Sequence, residues 1–112
     1  MSGVYGNDSL AFVGGSQFLT IDGTSDSIVC PTDTQAVSLY SDVPCWVEFS
    51  QPGKTPTVAA PSAEKVGING FFLPASVLAD YPIPQGTDAN QTSVCAIQAA
   101  GAGTLYVTFR KV

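Results

Sequence analysis

Short runs of apolar and β-branched residues recur along the chain, and turn-forming residues separate them. In the clearest run, Cys45, Val47 and Phe49 occupy one face, and Trp46 and Glu48 lie between them on the other. This period of two is typical of a strand that buries one face. No window of about 11 residues keeps a helical apolar period without Pro or Gly, so we expect no sustained helix. Runs that recur about every ten residues predict an all-β chain of about eight short strands, arranged as a sandwich, a jelly roll or a small barrel.

The residues between the runs predict turns and loops. The 57–60 run is flanked by prolines, which favours an edge strand. Residues 62–64 are predicted as a single helical turn, and 80–88, which is rich in Pro and Gly, as a loop. The last strand is predicted to bury Leu105, Val107 and Phe109. The predicted strands are 18–21, 28–30, 36–40, 45–50, 57–60, 68–74, 93–99 and 104–112.

The N-terminal stretch differs from the rest of the chain, because it is rich in Gly, Ser and Asn and its apolar residues are widely spaced. This composition predicts an extended arm over 1–16, followed by a single domain over 17–112. The predicted anchors of the arm are Tyr5, Leu10, Phe12 and Val13. The arm would dock either on its own domain or on a neighbouring molecule.

Charge is scarce and unevenly distributed. The chain of 112 residues is 45% hydrophobic and only 12% charged, which suits one globular domain whose surface a neighbour partly covers. Nine acidic and four basic residues give a net charge of −5, and no Lys or Arg precedes Lys54. Without clustered bases we expect no binding to nucleic acid or to an anionic membrane. The first residues lack the basic and apolar regions of a signal peptide, so we expect a protein made in a cytoplasm.

Candidate chemistry is sparse, because the sequence contains no histidine. A nucleophile would lack the base that usually activates it, and the commonest zinc sites would lose a ligand. We therefore expect no enzyme, no metal and no cofactor. Asp22 and Asp26 do not form the ordered series of a calcium loop and suit turns instead. Cys30, Cys45 and Cys95 are predicted to be free thiols that pack as small hydrophobic residues.

Aromatic residues are the strongest candidates for binding. Trp46 lies on the less apolar face of its strand, where it fits either an interface or a core position covered by loops. The same two interpretations apply to Tyr40, Tyr81 and Tyr106. Phe72 and the phenylalanine before it must point to opposite faces, so that one of them is exposed or bound. The predicted interface consists of Tyr5, Leu10, Phe12, Trp46, Phe72 and Tyr81.

Four segments carry a resemblance to a known group of proteins. They are VPCWVEF at 43–49, FFLPA at 71–75, YPIP at 81–84 and AGAGTLYVT at 100–108. Together with the Gly-rich arm, they resemble the small β-sandwich proteins encoded beside phage capsid genes, some of which are capsid cement or decoration proteins. The likeness lies in the order and spacing of such segments over residues 17–112, and it includes no catalytic signature.

The resemblance implies a jelly-roll-like antiparallel β-sandwich bound to the exterior of an icosahedral capsid. Its partner would be the major capsid protein, on which the chain would sit as a dimer or a trimer. The virion would be assembled in the host cytoplasm. Such proteins often use a terminal arm to latch a neighbour, which would give residues 1–16 a role.

Three other functions fit the same sequence. Trp46 and the tyrosines of a β-sandwich also suit a carbohydrate-binding module or a receptor-binding fibre or adhesin module. A neck or tail component of the same virion is a second alternative. A small enzyme that uses Asp22 or Glu48 is the third.

Overall fold

In the computed structural model, the described part of the chain contains eight antiparallel strands, which turns and loops connect, and it contains no helix. The structure describes residues 11–31, 34–50, 57–83 and 92–111 and, within these ranges, the side chains of residues 15–110. The strands are β1 (Ala11–Ile21), β2 (Asp26–Val29), β3 (Ala36–Ser41), β4 (Cys45–Ser50), β5 (Phe71–Leu73), β6 (Ala79–Pro82), β7 (Ser93–Gln98) and β8 (Gly103–Lys111).

The strands pair as they would in one long hairpin. β1 pairs with β8, β2 with β7, β3 with β6 and β4 with β5, so each strand of the first half meets its counterpart from the second half. Two more pairings, β3 with β8 and β4 with β7, join these ladders into a first sheet of order β1-β8-β3-β6 and a second sheet of order β2-β7-β4-β5. This is the topology of a jelly roll, and it confirms the predicted antiparallel β-sandwich.

The inner faces of the two sheets meet in a core that strand alternation builds. In β8, Leu105, Val107 and Phe109 are fully buried, as predicted, and Tyr106 between them is exposed. Each strand of the first sheet, or a residue directly beside it, contributes side chains to this core. The second sheet supplies the side chains that face them. The core residues are Leu19, Ile21, Cys30, Val37, Leu39, Cys45, Val47, Leu73, Ile83, Val94, Ala96, Leu105, Val107 and Phe109.

The connection from β4 to β5 packs closely against the second sheet. The edge strand predicted at 57–60 is wrong, because Val58 donates its N–H to the Ser25 hydroxyl at 3.0 Å and not to a ladder. The Val58 side chain is buried. A Cβ on Gly70 would lie 3.2 Å from Val58 Cγ2 and only 2.7 Å from the Val47 carbonyl oxygen. Glycine at this position therefore allows the close approach, and β5 begins one residue later.

Two shorter segments also differ from the prediction. The helical turn predicted at 62–64 is wrong: the Val66 N–H donates to the Ala63 carbonyl at 3.3 Å, and Lys65 has a positive φ of 65°, which a helix cannot continue. Ala79–Pro82 forms β6, although the sequence predicts a loop from residue 80. Proline is tolerated in β6 because it is an edge strand. The part of that predicted loop from residue 84 onward lies outside the described residues.

The first strand begins earlier than the sequence predicts. β1 starts at Ala11, whereas the predicted domain starts at Gln17, so 11–16 belong to a strand and not only to an arm. The register between β1 and β8 shifts between Phe12 and Ser16, where Gly15 has a positive φ of 67°. Both features are typical of a β-bulge, which twists an exposed edge strand. The remainder of the predicted arm, residues 1–10, lies outside the described residues.

Candidate docking surface

A row of hydrophobic side chains crosses the outer face of the first sheet. Alternation with buried neighbours turns Phe18, Tyr106 and Tyr40 outward on three adjacent strands. The ladders pair Phe18 with Tyr106 and Tyr106 with Tyr40. Leu78 directly precedes β6, and extending the β3–β6 register by one pair places it opposite Tyr40. We call Phe18, Tyr106, Tyr40 and Leu78 the exposed row.

The exposed row is accessible along its whole length. Phe18 and Leu78 are 66% and 67% exposed, Tyr106 is 48% exposed and Tyr40 is 38% exposed. The Tyr40 and Tyr106 ring centroids are 6.5 Å apart. Adjacent strands are about 4.8 Å apart, so four side chains on four strands extend over about 14 Å. Contiguous apolar groups of this kind on a surface are typical of an interaction site.

Polar groups border the exposed row on both sides and are held by hydrogen bonds within the sheet. On one side the Ser38 hydroxyl donates to the Asp80 carboxylate. On the other side the Thr104 N–H donates to Asp42 Oδ1 at 2.7 Å. The border is therefore anchored to the same strands as the row, and the two together form a preformed surface.

The second sheet carries a smaller aromatic pair on its outer face. Trp46 and Phe72 are register partners, and their rings meet edge to face with centroids 5.2 Å apart. Phe72 is 47% exposed, while Trp46 is half-buried. The structure thus brings together two of the predicted interface residues. Trp46 points away from the core and is half-buried. Its exposure therefore lies between that of an interface residue and that of a core residue covered by loops.

Tyr81 lies apart from both outer surfaces. Its ring centroid is 4.6 Å from that of Phe71 and 6.1 Å from that of Phe49, and it packs against the core. Phe71 and Phe72 point to opposite faces of the second sheet, as predicted. For Phe12 and Val13, the structure describes the β1 backbone but not the side chains, and the predicted arm anchors Tyr5 and Leu10 are outside the described residues.

None of the four members of the exposed row belongs to the predicted interface. For Tyr40 and Tyr106 the sequence leaves an interface and a core position open, whereas Phe18 and Leu78, the most accessible of the four, are not among the candidates. The sequence predicts Phe18 only as a strand residue, yet a signal is present: Leu19 and Ile21 are apolar and alternate with Thr20, so Phe18 must share the outward face with Thr20. Leu78 has no comparable local signal. Its position follows from the pairing of β6 with β3, which no local pattern reveals.

The described residues offer little chemistry of another kind. Cys30, Cys45 and Cys95 are free and buried, as predicted. Burial raises the pKa of the Cys30 thiol to about 11, and burial with the nearby Glu48 charge raises that of Cys95 to about 12. Thiols that stay protonated are poor nucleophiles.

Neither a cluster of metal ligands nor a membrane-spanning helix is present in the same part of the chain. Nowhere among the described residues do three His, Cys, Asp or Glu side chains come together as metal ligands. That part of the chain also contains no helix long and apolar enough to cross a membrane.

Comparison with known proteins adds no further information on this surface. No protein-family model matches the chain, and no curated protein matches it either. Its function must therefore be inferred from the residues that it exposes.

Proposed function

We propose that this chain is a capsid decoration protein, which binds the outer surface of a shell of major capsid protein and stabilises that shell. The exposed row is the observation that carries the proposal. The centres of protein interfaces are rich in aromatic residues and poor in charged ones. Phe18, Tyr40 and Tyr106 give the first sheet such a centre on a face built from regular strands.

The fold and the composition are compatible with this function. Jelly rolls occur in viral capsid proteins and also in lectins, so the fold alone does not choose between these classes. A charged fraction of only 12% favours a surface that a neighbouring molecule covers. A capsid presents many copies of one site, so modest contacts from a dimer or trimer of this chain would add up through avidity.

Replacing Phe18 and Tyr106 together by serine is expected to weaken binding to capsids by at least about 30-fold. The loss of a single aromatic anchor at an interface centre costs about 2 kcal/mol or more, which corresponds to this factor, and the losses of two neighbouring anchors do not simply add. Particles produced by the genome that encodes this chain would be stripped of it with mild denaturant. Purified chain would then be added back, and the bound fraction would be measured after the particles are pelleted.

Val29→Ser is the matched control for this experiment. Val29 is 57% exposed but belongs to β2 in the second sheet, so its replacement removes exposed apolar surface from the other side of the molecule. This variant should bind as the wild-type chain does. A wild-type chain that never co-purifies with particles would refute the proposed function.

A carbohydrate-binding module is the second candidate, and the Trp46–Phe72 pair is the observation that favours it. The exposed Phe72 ring beside Trp46 offers an apolar platform for a sugar ring. On a glycan array, Trp46→Ala and Phe72→Ala are both expected to lose most of any binding, whereas Tyr106→Ala on the first sheet should retain it. A wild-type chain that binds no glycan would eliminate this candidate.

A further inference from the structure

Two carboxylates lie beside the exposed row, one on each side of it. Asp80 follows Leu78 by two residues, and Asp42 follows Tyr40 by two, so strand alternation gives each acid the outward direction of its hydrophobic neighbour. The β3–β8 ladder continues as far as Asp42, whose N–H donates to the Thr104 carbonyl at 3.2 Å. Both acidic side chains are exposed.

In the part of the chain that is described, no basic residue occupies a position that directly flanks the exposed row. Lys65 belongs to the connection between β4 and β5, which are both strands of the second sheet. Arg110 is on β8 and follows Tyr106 by four residues, which corresponds to about 13 Å along the strand. It is two residues beyond Thr108, the β8 residue that is level with Asp80. The row is therefore bordered by two acids and by none of the described bases. Its local charge has the same sign as the net charge of −5.

We infer that the exposed row and its two acids bind one continuous patch on the partner, with an apolar centre flanked by Lys or Arg side chains. The first sheet then faces the shell, and the second sheet, with the connection that packs on it, faces away. This inference rests on the proposed function and adds the chemistry of the surface that is bound.

Charge complementarity selects such a partner over a second copy of the chain. Two copies that met through this face would bring the same acids, Asp42 and Asp80, into one interface, and each copy has a net charge of −5. Like charges placed together disfavour a complex, whereas opposite charges at a rim accelerate association and fix its register.

The test removes the two charges and keeps the local structure. In the double variant Asp42→Asn/Asp80→Asn, the amide oxygens still accept the hydrogen bonds that Thr104 and Ser38 donate. The control is Asp26→Asn/Glu64→Gln, which also removes two of the nine acidic residues. Asp26 is exposed on β2 in the second sheet, and Glu64 is exposed in the connection between β4 and β5.

Binding to stripped particles would be measured by pelleting at about 50 mM and about 500 mM salt. Asp42→Asn/Asp80→Asn is expected to bind about threefold to tenfold more weakly than wild type at the lower salt concentration. This is the loss of affinity expected when two exposed ion pairs at the rim of an interface are removed. The difference should disappear at the higher concentration, where screening acts within about 4 Å. The control variant should match wild type under both conditions.

Three results would overturn the inference, and they are distinguishable. If Asp42→Asn/Asp80→Asn and its control bind particles equally well while Phe18→Ser/Tyr106→Ser binds weakly, the partner has no basic patch at this surface, and the proposed function is retained. Self-association of the wild-type chain without particles, abolished by Phe18→Ser/Tyr106→Ser, would assign the surface to a second copy. A wild-type chain that binds no particles would remove the proposed function itself.

Discussion

Replacing Phe109 by alanine is expected to lower the free energy of unfolding by about 3–5 kcal/mol, the usual result of truncating a buried phenylalanine. Phe109 is fully buried and has the largest volume among the fully buried side chains described. It lies on β8, which is hydrogen-bonded to β1 on one side and to β3 on the other. Ladders on both sides limit the collapse of the backbone into the cavity. Small domains have a total stability of about 5–15 kcal/mol, so a large part of it would be lost.

Urea unfolding followed by the fluorescence of Trp46, the only tryptophan, measures this loss. Phe18→Ala is the matched control, because it removes the same atoms from a side chain that is 66% exposed. Its effect on the free energy of unfolding should stay within about 0.5 kcal/mol. Equal losses in the two variants would contradict the assignment of Phe109 to the inner face and Phe18 to the outer face.

The inner faces of the sandwich could be predicted from the sequence because alternation is a local property. The burial of Leu105, Val107 and Phe109 can be predicted once it is known that their strand buries one face. The same reasoning applies to Val37 and Leu39. The absence of long helical periods likewise indicates an all-β chain before any pairing is known. Local patterns therefore suffice for the fold class and for most of the core.

The exposed row could not be predicted as a unit, because it depends on which strands are neighbours. Phe18 and Tyr106 are near opposite ends of the sequence and meet only because β1 pairs with β8. Leu78 joins them only through the pairing of β6 with β3. Each residue is unremarkable in its local context, and the surface arises when the jelly-roll topology aligns them.

Tyr81 shows how a missed strand also misplaces a candidate side chain. The prolines around Tyr81 predict a loop, and a loop leaves open whether the tyrosine is at an interface or in the core. β6 forms nevertheless, because an edge strand tolerates Pro82. In the register of this strand, Tyr81 pairs with the buried Val37 and so shares its inward face. By contrast, Trp46 and Phe72 could each be named as a candidate from its own strand, although their contact depends on the pairing of β4 with β5.

Alkaline solution is expected to destabilise this protein through its buried thiols. From the ordinary thiol value of 9.0, burial raises the pKa of Cys30 to about 11, and burial together with the charges of Glu48 and Cys30 raises the pKa of Cys95 to about 12. Burial also raises the pKa of Cys45, against the opposing effect of the Ser41 hydrogen bond. Above pH 9.0 the unfolded chain releases thiol protons that the folded chain retains. The stabilisation is therefore complete below that pH and is lost as the pH rises towards about 12.

Between about pH 8 and about pH 11, Cys30 and Cys95 are each expected to reduce the free energy of unfolding by about 2 kcal/mol, as urea unfolding at the two pH values would show. Cys95→Ala should lose about 2 kcal/mol less than wild type over this interval, although the small cavity makes it less stable at the lower pH. Ser93→Ala, a buried neighbour on β7 without a thiol, is the control and should keep the wild-type pH dependence. If Cys95→Ala loses as much stability as wild type, the folded chain does not hold the Cys95 proton more tightly than the unfolded chain does, and alkaline unfolding depends on other groups.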